Sequence, residues 1–173
     1  MAECFGAVCN ARSKMLILGS MPGEASLRAG QYYAHPRNSF WPVMECILGA
    51  RAPLSYRARL ALLKKHRIAL WDVLGYCARR GSADSAIDMK TARANDFESF
   101  FRAHKSITAV FFNGSKAQAC YNRYVLPALG PDCGKLRYLK LPSTSPAYAT
   151  LSAAQKTALW KREIMPGLAE EPG

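Results

Sequence analysis

Residues 16–41 read LILGSMPGEASLRAGQYYAHPRNSFW, and this stretch contains the features that decide the fold. Its apolar start, which continues from Met15, predicts a buried β-strand that ends at Gly19. A Gly-Pro-Gly loop follows over 19–23 and leads to two tyrosines and the polar segment HPRN. In α/β folds the working site lies at the carboxyl ends of the strands, so we expect this loop to belong to it.

The same alternation of strand and helix continues along the chain. Apolar runs at 68–74, 107–112 and 136–141 predict three further strands. The expected helices lie at 38–49, 54–66, 94–104, 115–124 and 152–165. This order predicts a three-layer α/β/α sandwich with a mainly parallel four-stranded central sheet. We expect residues 1–173 to form a single domain.

The composition narrows the class of protein. The chain has 24 Lys and Arg against 12 Asp and Glu, a net charge of +12. An excess of this size favours a polyanionic partner such as nucleic acid, although a generally basic surface is the simpler alternative. No apolar run approaches the ~20 residues of a membrane span, and the first residues lack the pattern of a signal peptide. We therefore expect a cytoplasmic protein that is not bound to a membrane.

The cysteines are not arranged as metal ligands. They occupy positions 4, 9, 46, 77, 120 and 133, and no pair has Cys-x-x-Cys spacing. No grouping of cysteine and histidine resembles a zinc or iron–sulfur site. The sequence therefore predicts reduced thiols, no metal and no other cofactor.

The unusual residues fall in four loops that follow the predicted strands. These loops are GSMPG at 19–23, Asp72 with a polar segment at 78–88 that includes Ser82 and Asp84, NGSK at 113–116, and LPSTSPA at 141–147. Because the carboxyl ends of parallel strands meet at one edge of a sheet, we expect these loops to converge. Each loop also has a structural interpretation as a tight turn or a rigid surface turn, and Asp72 is either a general base or a cap.

Two side-chain types in the first loop region suggest a base-binding site. Tyr32 and Tyr33 are either core aromatics or, at the edge of a site, a stacking surface worth ~1–3 kcal/mol per base. Asn38 either caps the helix that follows it or orients a water molecule or a base edge.

The loop at 141–147 suggests contact with a nucleic acid backbone. Two prolines on either side of Ser143, Thr144 and Ser145 fix its conformation, and the hydroxyl groups of these three residues can donate to phosphate oxygens.

Together these segments resemble the uracil-DNA glycosylase superfamily. GSMPG followed by YYAHPRNSFW is similar to the first motif region of the mismatch-specific uracil/thymine glycosylases, and LPSTSPA is similar to their second motif. The segments ALWDVL and FFNGSKA bring the chain closest to the hypoxanthine-DNA glycosylase (DNA-deoxyinosine glycosylase) branch. The resemblance covers about residues 15–160, with the motifs in the expected order.

The resemblance implies a monofunctional DNA glycosylase. Such an enzyme flips a deaminated base, here hypoxanthine or also uracil, out of DNA and hydrolyses its N-glycosidic bond, which starts base excision repair. Relatives specific for mismatched uracil carry Asn where this chain has Met21, whose thioether cannot orient water, so the resemblance implies that Asn38 is catalytic. The candidate base-binding residues are Gly19, Ser20, Met21, Pro22, Gly23, Tyr33 and Asn113. The candidate DNA-binding residues are His35, Arg37, Lys116, Ser143, Thr144, Ser145 and Pro146.

The expected partner is double-stranded DNA that contains a damaged or mismatched base, and the protein is expected to act as a monomer. Two other functions are weighed against this one. Met21 in the first loop favours a non-catalytic DNA-binding module on the same fold. A small-molecule nucleotide hydrolase would depend on a metal, and no carboxylate cluster in the sequence supports it.

Overall fold

The structure is a computed structural model that describes residues 2–79, 87–130 and 135–169. The strands in chain order are β1 (Ala2–Glu3), β2 (Met15–Gly19), β3 (Ile68–Asp72), β4 (Leu74–Arg79), β5 (Ile87–Ala94), β6 (Ala109–Asn113) and β7 (Arg137–Leu141). The helices are α1 (Glu24–Ala29), α2 (Phe40–Ile47), α3 (Tyr56–Lys65), α4 (Phe97–Ala103), α5 (Ser115–Tyr124) and α6 (Ala153–Ala169). A short 3-10 helix, Leu126–Ala128, follows α5.

The central sheet consists of four parallel strands in the order β3, β2, β6, β7. All five residues of β2 are buried, because neighbouring strands flank it and helices cover both faces of the sheet. A parallel strand in this position reads as a continuous apolar run, which is the signal that predicted it. The predicted four-stranded parallel sheet is confirmed.

Helices pack on both faces of this sheet. Side chains alternate between the two faces along each strand, so Ile17 and Leu18 point into different cores. Ile17 belongs to a cluster with Trp160 and other residues of α2, α3 and α6. Leu18 belongs to a second cluster with Tyr121 and other residues of α4 and α5. This arrangement confirms the three-layer architecture.

A second sheet differs from what the sequence predicts. Strands β4 and β5 form an antiparallel pair, and β1 adds to the edge of β4. The prediction of a polar loop at 78–88 is therefore wrong at both ends, because residues 78–79 belong to β4 and residues 87–88 belong to β5. Leu74 and Cys77 are buried against the core of α4 and α5, so tertiary packing stabilises a strand that has no clear local signal. Ser82 and Asp84 lie outside the described residues.

The other predicted elements shift by only a few residues, as is usual at element ends. Helix α1 is an addition to the prediction, and it ends at Gly30, whose φ of 62° is left-handed and suits glycine. It lies directly after the Gly-Pro-Gly loop and returns the chain toward the tyrosines. Across the described residues, no helix is long and apolar enough to cross a membrane.

Candidate active site

A cavity of about 610 Å³ opens at the carboxyl ends of the parallel strands. The predicted site residues that line it are Gly19, Ser20, Met21, Pro22, Gly23, Tyr33, His35, Asn38, Asn113, Lys116, Ser143, Thr144, Ser145 and Pro146. Arg37 is the one predicted site residue outside this lining, and its side chain is exposed. The structure therefore brings together loops that are separated by more than a hundred positions in the chain.

The lining also contains residues that were not among the predicted site residues. Asp72 follows a predicted strand, so its position was a usable signal, although a cap was an equally good interpretation of it. Tyr148 lies just beyond the LPSTSPA segment, and its sequence context carries no signal of a site. Tyr32 and Ser26 also line the cavity, and the Ala34 amide donates to the Ser26 hydroxyl oxygen at 3.1 Å, which joins α1 to the segment that carries Tyr32.

The carboxylate of Asp72 and the hydroxyl of Tyr33 meet next to Gly19. A methyl group placed on Gly19 would lie well inside contact distance of Asp72 Oδ1 and 2.9 Å from the Tyr33 hydroxyl oxygen. The β2 and β3 loops are tied together here, since the Val73 amide donates to the Gly19 carbonyl at 2.9 Å. Only glycine leaves room for this convergence at the floor of the cavity.

Asp72 is only 2% exposed. Burying a carboxylate is costly, and groups buried in this way beside a cavity are characteristic of functional sites. Burial first, and then the charge of Asp72, raise the pKa of the nearby Tyr32 phenol far above its ordinary value. Tyr32 is therefore protonated, and its hydroxyl donates to the carbonyls of Phe5 and Gly6 at 3.3 and 3.2 Å. Of the two predicted aromatics, Tyr32 is a core residue.

The aromatic ring of Tyr33 forms part of the cavity wall and is held in a fixed orientation. Its ring stacks on that of Phe40, with ring centroids 4.1 Å apart and an interplanar angle of 26°. Phe40 is fully buried, so this contact covers one face of Tyr33 and fixes its orientation. The backbone of Tyr33 is left-handed, with a φ of 54°, which is uncommon for an aromatic residue and is often found at functional sites.

Of the two roles considered for Asn38, the structure shows the hydrogen bond at the start of the following helix. Its side-chain oxygen Oδ1 accepts a hydrogen bond from the Phe40 amide at 3.0 Å, which caps the start of α2. An amide oxygen has two lone pairs, so one remains after this bond. Within the described part of the chain, the Asn38 side-chain nitrogen has no hydrogen-bond partner. The cap therefore orients a polar group that faces the cavity without occupying all of its hydrogen-bonding capacity.

The loop at 141–147 is anchored through Thr144, which is fully buried. Asn113 donates to Thr144 Oγ1 at 2.8 Å and accepts from the Thr144 amide at 2.9 Å. The carbonyl of Thr144 accepts from both the amide and the hydroxyl of Ser39, at 3.0 and 3.2 Å. These bonds link the ends of β6 and β7 to the start of α2, so both ends of the Asn113 amide serve to position the loop.

Met21 forms an apolar part of the cavity wall. Its thioether sulfur lies 2.8 Å from the Sγ of buried Cys77, so the Met21 side chain packs against the protein core on the side away from the cavity. Among the described residues, no group of three or more His, Cys, Asp or Glu is placed to hold a metal ion. The chemical groups of the residues that line the cavity are a carboxylate, side-chain and backbone amides, hydroxyls, the Lys116 ammonium, the His35 imidazole and tyrosine rings.

Comparison with known proteins identifies the family of the chain that forms this cavity. The family model described as "Uracil DNA glycosylase superfamily" matches residues 5–169. The chain belongs to the uracil DNA glycosylase superfamily. Its membership confirms the resemblance seen in the sequence and makes the protein a DNA glycosylase, a hydrolase that acts on the N-glycosidic bonds of DNA.

Two curated relatives and one solved structure are similar to this glycosylase. Proteins named hypoxanthine DNA glycosylase from Methanosarcina barkeri and Methanosarcina acetivorans are each 38% identical over 114 residues, 65% of this chain and 71% of the relative. The solution NMR structure of a uracil DNA glycosylase candidate from Methanosarcina acetivorans is 31% identical and superposes with a TM-score of 0.79. That match covers 97% of this chain and 98% of the other.

Proposed function

We propose that this glycosylase removes hypoxanthine from DNA, after flipping the damaged nucleotide into the cavity lined by Asn38, Asp72 and Tyr33. The observation that carries the proposal is that these three chemically different groups line one cavity of about 610 Å³. The names of the two curated relatives support the choice of hypoxanthine. We further propose that the enzyme binds duplex DNA as a monomer.

The reaction requires the nucleotide to leave the helix. The bond to be broken lies at C1′, which is inaccessible inside a duplex, and extrusion costs a few kcal/mol of stacking and pairing. Hypoxanthine in a poor pair loses less on extrusion, which favours damaged sites. The rigid ring of Tyr33 offers the extruded base a new stacking surface, and such stacking is worth ~1–3 kcal/mol.

Asp72 is suited to distinguish a deaminated base from its parent. Deamination of adenine gives hypoxanthine, in which a ring N–H beside a carbonyl replaces a bare ring nitrogen. A carboxylate accepts a hydrogen bond from that N–H, whereas it repels the lone pair that adenine presents at the same position. The backbone of Asp72 is held in place, because the Asn95 side chain donates to its carbonyl oxygen at 2.8 Å.

Asn38 is suited to place the attacking water. A neutral amide is no base, so its oxygen orients the water by accepting a hydrogen bond while the sugar develops oxocarbenium character. The water oxygen forms a bond to C1′, the N-glycosidic bond breaks, and the base leaves with its electron pair. The proton lost from the water is taken up by the departing base, so the products are neutral hypoxanthine and a sugar with a hydroxyl group at C1′. Residues 19–23 line the same cavity and offer their backbone amides to the departing base.

Release of hypoxanthine from a deoxyinosine-containing duplex, measured in single turnover, tests the proposal. Asn38→Ala should slow release by roughly 100-fold or more, because loss of precise positioning has effects of that size. Loss of the hydrogen bond from the Phe40 amide to Asn38 also costs about 0.5–1.5 kcal/mol of stability. The matched control is Asn38→Ser, which restores a cap but not the reach of the amide, so it should regain stability and stay inactive.

Two results would contradict this assignment. Wild-type release from Asn38→Ala would remove Asn38 from the mechanism. Binding of the deoxyinosine duplex by the wild-type protein with no release from any duplex in a panel of deaminated bases would favour the non-catalytic module instead.

A further inference from the structure

The positive charge of this protein is not concentrated at the cavity. Among the described residues that line the cavity, Lys116 is the only Lys or Arg. The whole chain nevertheless has a net charge of +12. Electrostatic attraction of DNA to the cavity therefore accounts for little of the excess.

A separate group of cations precedes the amino ends of the parallel strands, opposite the cavity. We name it the amino-end basic surface and define it by Arg12, Lys64, Lys65, Arg67, Lys105 and Lys135, all exposed except the half-buried Arg67. Backbone bonds align the segments that carry them. The Arg67 carbonyl accepts from the Lys14 amide at 2.8 Å, and the Lys14 carbonyl accepts from the Thr108 amide at 2.9 Å. The Thr108 carbonyl in turn accepts from the Arg137 amide at 2.9 Å.

These six cations are not neutralised within residues 2–79, 87–130 and 135–169, where none of them forms an ion pair. Elsewhere on the protein, Arg28, Arg59 and Arg102 each pair with a glutamate. Burial first, and then the positive charge of Lys65, lower the pKa of His66, as expected where cations are crowded. Holding like charges together in this way is unfavourable unless an anion binds to them.

The dimensions of the surface match a nucleic acid backbone. Four strands spaced ~4.8 Å apart give a row about 14 Å wide. One DNA strand presents a phosphate every ~3.4 Å along the helix axis, so the row spans about four phosphates. Lys and Arg side chains on such a row can contact phosphates without reading sequence.

A DNA segment whose damaged nucleotide lies in the cavity cannot contact the amino-end basic surface at the same time. The five-residue strands alone separate the two ends of the sheet by ~17 Å, to which the loops at each end add. Bending 20–30 base pairs by 40–90° already costs about 1–6 kcal/mol, and the path from the cavity to the opposite end requires a much sharper turn.

We propose that the amino-end basic surface binds the phosphate backbone of a second DNA segment while the cavity engages the first. The second half of this statement rests on the proposed function. An enzyme with two DNA-binding ends can pass directly between neighbouring DNA segments, which shortens the search for rare damaged bases.

The experiment compares two variants that each lose three positive charges. The surface variant is Lys64→Gln, Lys65→Gln and Lys105→Gln. The control variant is Arg57→Gln, Lys140→Gln and Lys161→Gln, three exposed cations in the first turn of α3, on the edge strand and in the middle of α6. Two quantities are measured: the salt dependence of binding to undamaged duplex, and capture of a labelled undamaged duplex by protein held on a bead-bound deoxyinosine duplex.

We expect the slope of log K against log salt concentration to be smaller in magnitude by about 2 to 3 for the surface variant. Each phosphate contact contributes ~0.9 to this slope, and the variant loses three positive charges. It should capture on the order of tenfold less of the second duplex, and the control variant should behave as the wild type. Single-turnover release of hypoxanthine from a short duplex should be unchanged in both variants, because none of the six substituted residues lines the cavity.

Three results would overturn the proposal. Equal losses in both variants would show that only net charge matters. A loss of release on the short duplex in the surface variant would place these residues in the same DNA site as the cavity. Unchanged duplex capture by the surface variant would show that this surface does not hold a second DNA segment, and loss of polyglutamate binding, measured on the same variant, would then identify an acidic protein as the partner. Failure of the proposed function appears differently, as wild-type protein that binds both duplexes but releases no base.

Discussion

Replacing Gly19 by alanine tests whether the convergence of Asp72 and Tyr33 creates the working cavity. The new methyl group would collide with Asp72 Oδ1 and lie 2.9 Å from the Tyr33 hydroxyl oxygen, where real contacts are rarely closer than 3.4 Å. The carboxylate must then retreat by roughly 1 Å to restore ordinary contact, and overpacking of this kind costs about 1–3 kcal/mol.

The surroundings of Gly19 make that retreat difficult. The Asp72 carbonyl accepts from Asn95 at 2.8 Å, and the Leu74 amide donates to the Ser20 carbonyl at 3.0 Å. The backbone on both sides of the collision is therefore held by hydrogen bonds. A displacement of about 1 Å in a catalytic site slows reactions by roughly 100-fold, so we expect Gly19→Ala to lose far more activity than stability.

Thermal unfolding and single-turnover release of hypoxanthine measure the two effects. Each kcal/mol should lower Tm by roughly 2–4 °C in a protein of this size. Gly6→Ala is the matched control, since a methyl group there meets nothing within 4 Å. The reasoning is refuted if Gly19→Ala keeps wild-type stability and wild-type release, because Asp72 and Tyr33 could then move away from the new methyl group without cost.

Three further predictions concern single side chains. Asp72→Asn should slow hypoxanthine release by roughly 10- to 100-fold at unchanged affinity for undamaged DNA, because the charged acceptor is lost; equal rates in a single-turnover assay would exclude the contact. Hydrogen bonds from Ser99, whose amide donates at 3.0 Å, lower the pKa of Asp96, so this cap stabilises α4 above the ordinary pKa of the carboxyl group and fails as the pH falls through the lowered one. Asp96→Ala should therefore lower Tm at neutral pH but not in acid, and a difference in Tm that persists in acid would contradict this. Buried Lys156 donates to the Tyr148 carbonyl at 2.8 Å, so Lys156→Met should cost about 1–3 kcal/mol in urea unfolding, and an unchanged midpoint would show that the bond contributes nothing.

Local patterns predicted the central sheet well. The strand that ends at Gly19 and the helix Ser115–Tyr124 appear at their predicted positions. These elements are encoded by hydrophobic periodicity over a few residues, which depends little on the rest of the chain. The sheet formed by β1, β4 and β5 was missed because its strands are stabilised by packing against α4 and α5 rather than by their own pattern.

Convergence of the loops was also predictable, because the carboxyl ends of parallel strands must share an edge. Fourteen of the fifteen residues predicted for the site line one cavity, and only Arg37 does not. What each side chain does there was not predictable. Asn113 was a candidate for base binding, yet both ends of its amide bond Thr144, 31 positions away.

The sequence by itself determined the parallel sheet, the edge where its loops meet, and the resemblance to the glycosylase superfamily, because these depend on short-range periodicity and on motifs that can be read in order. Only the tertiary structure decided that Asp72 and Tyr33 converge on Gly19, and that the cations of the amino-end basic surface lie together at the end of the sheet opposite the cavity. Both results depend on distances between residues far apart in the chain. Those distances are set by packing of the whole fold, which no local pattern records.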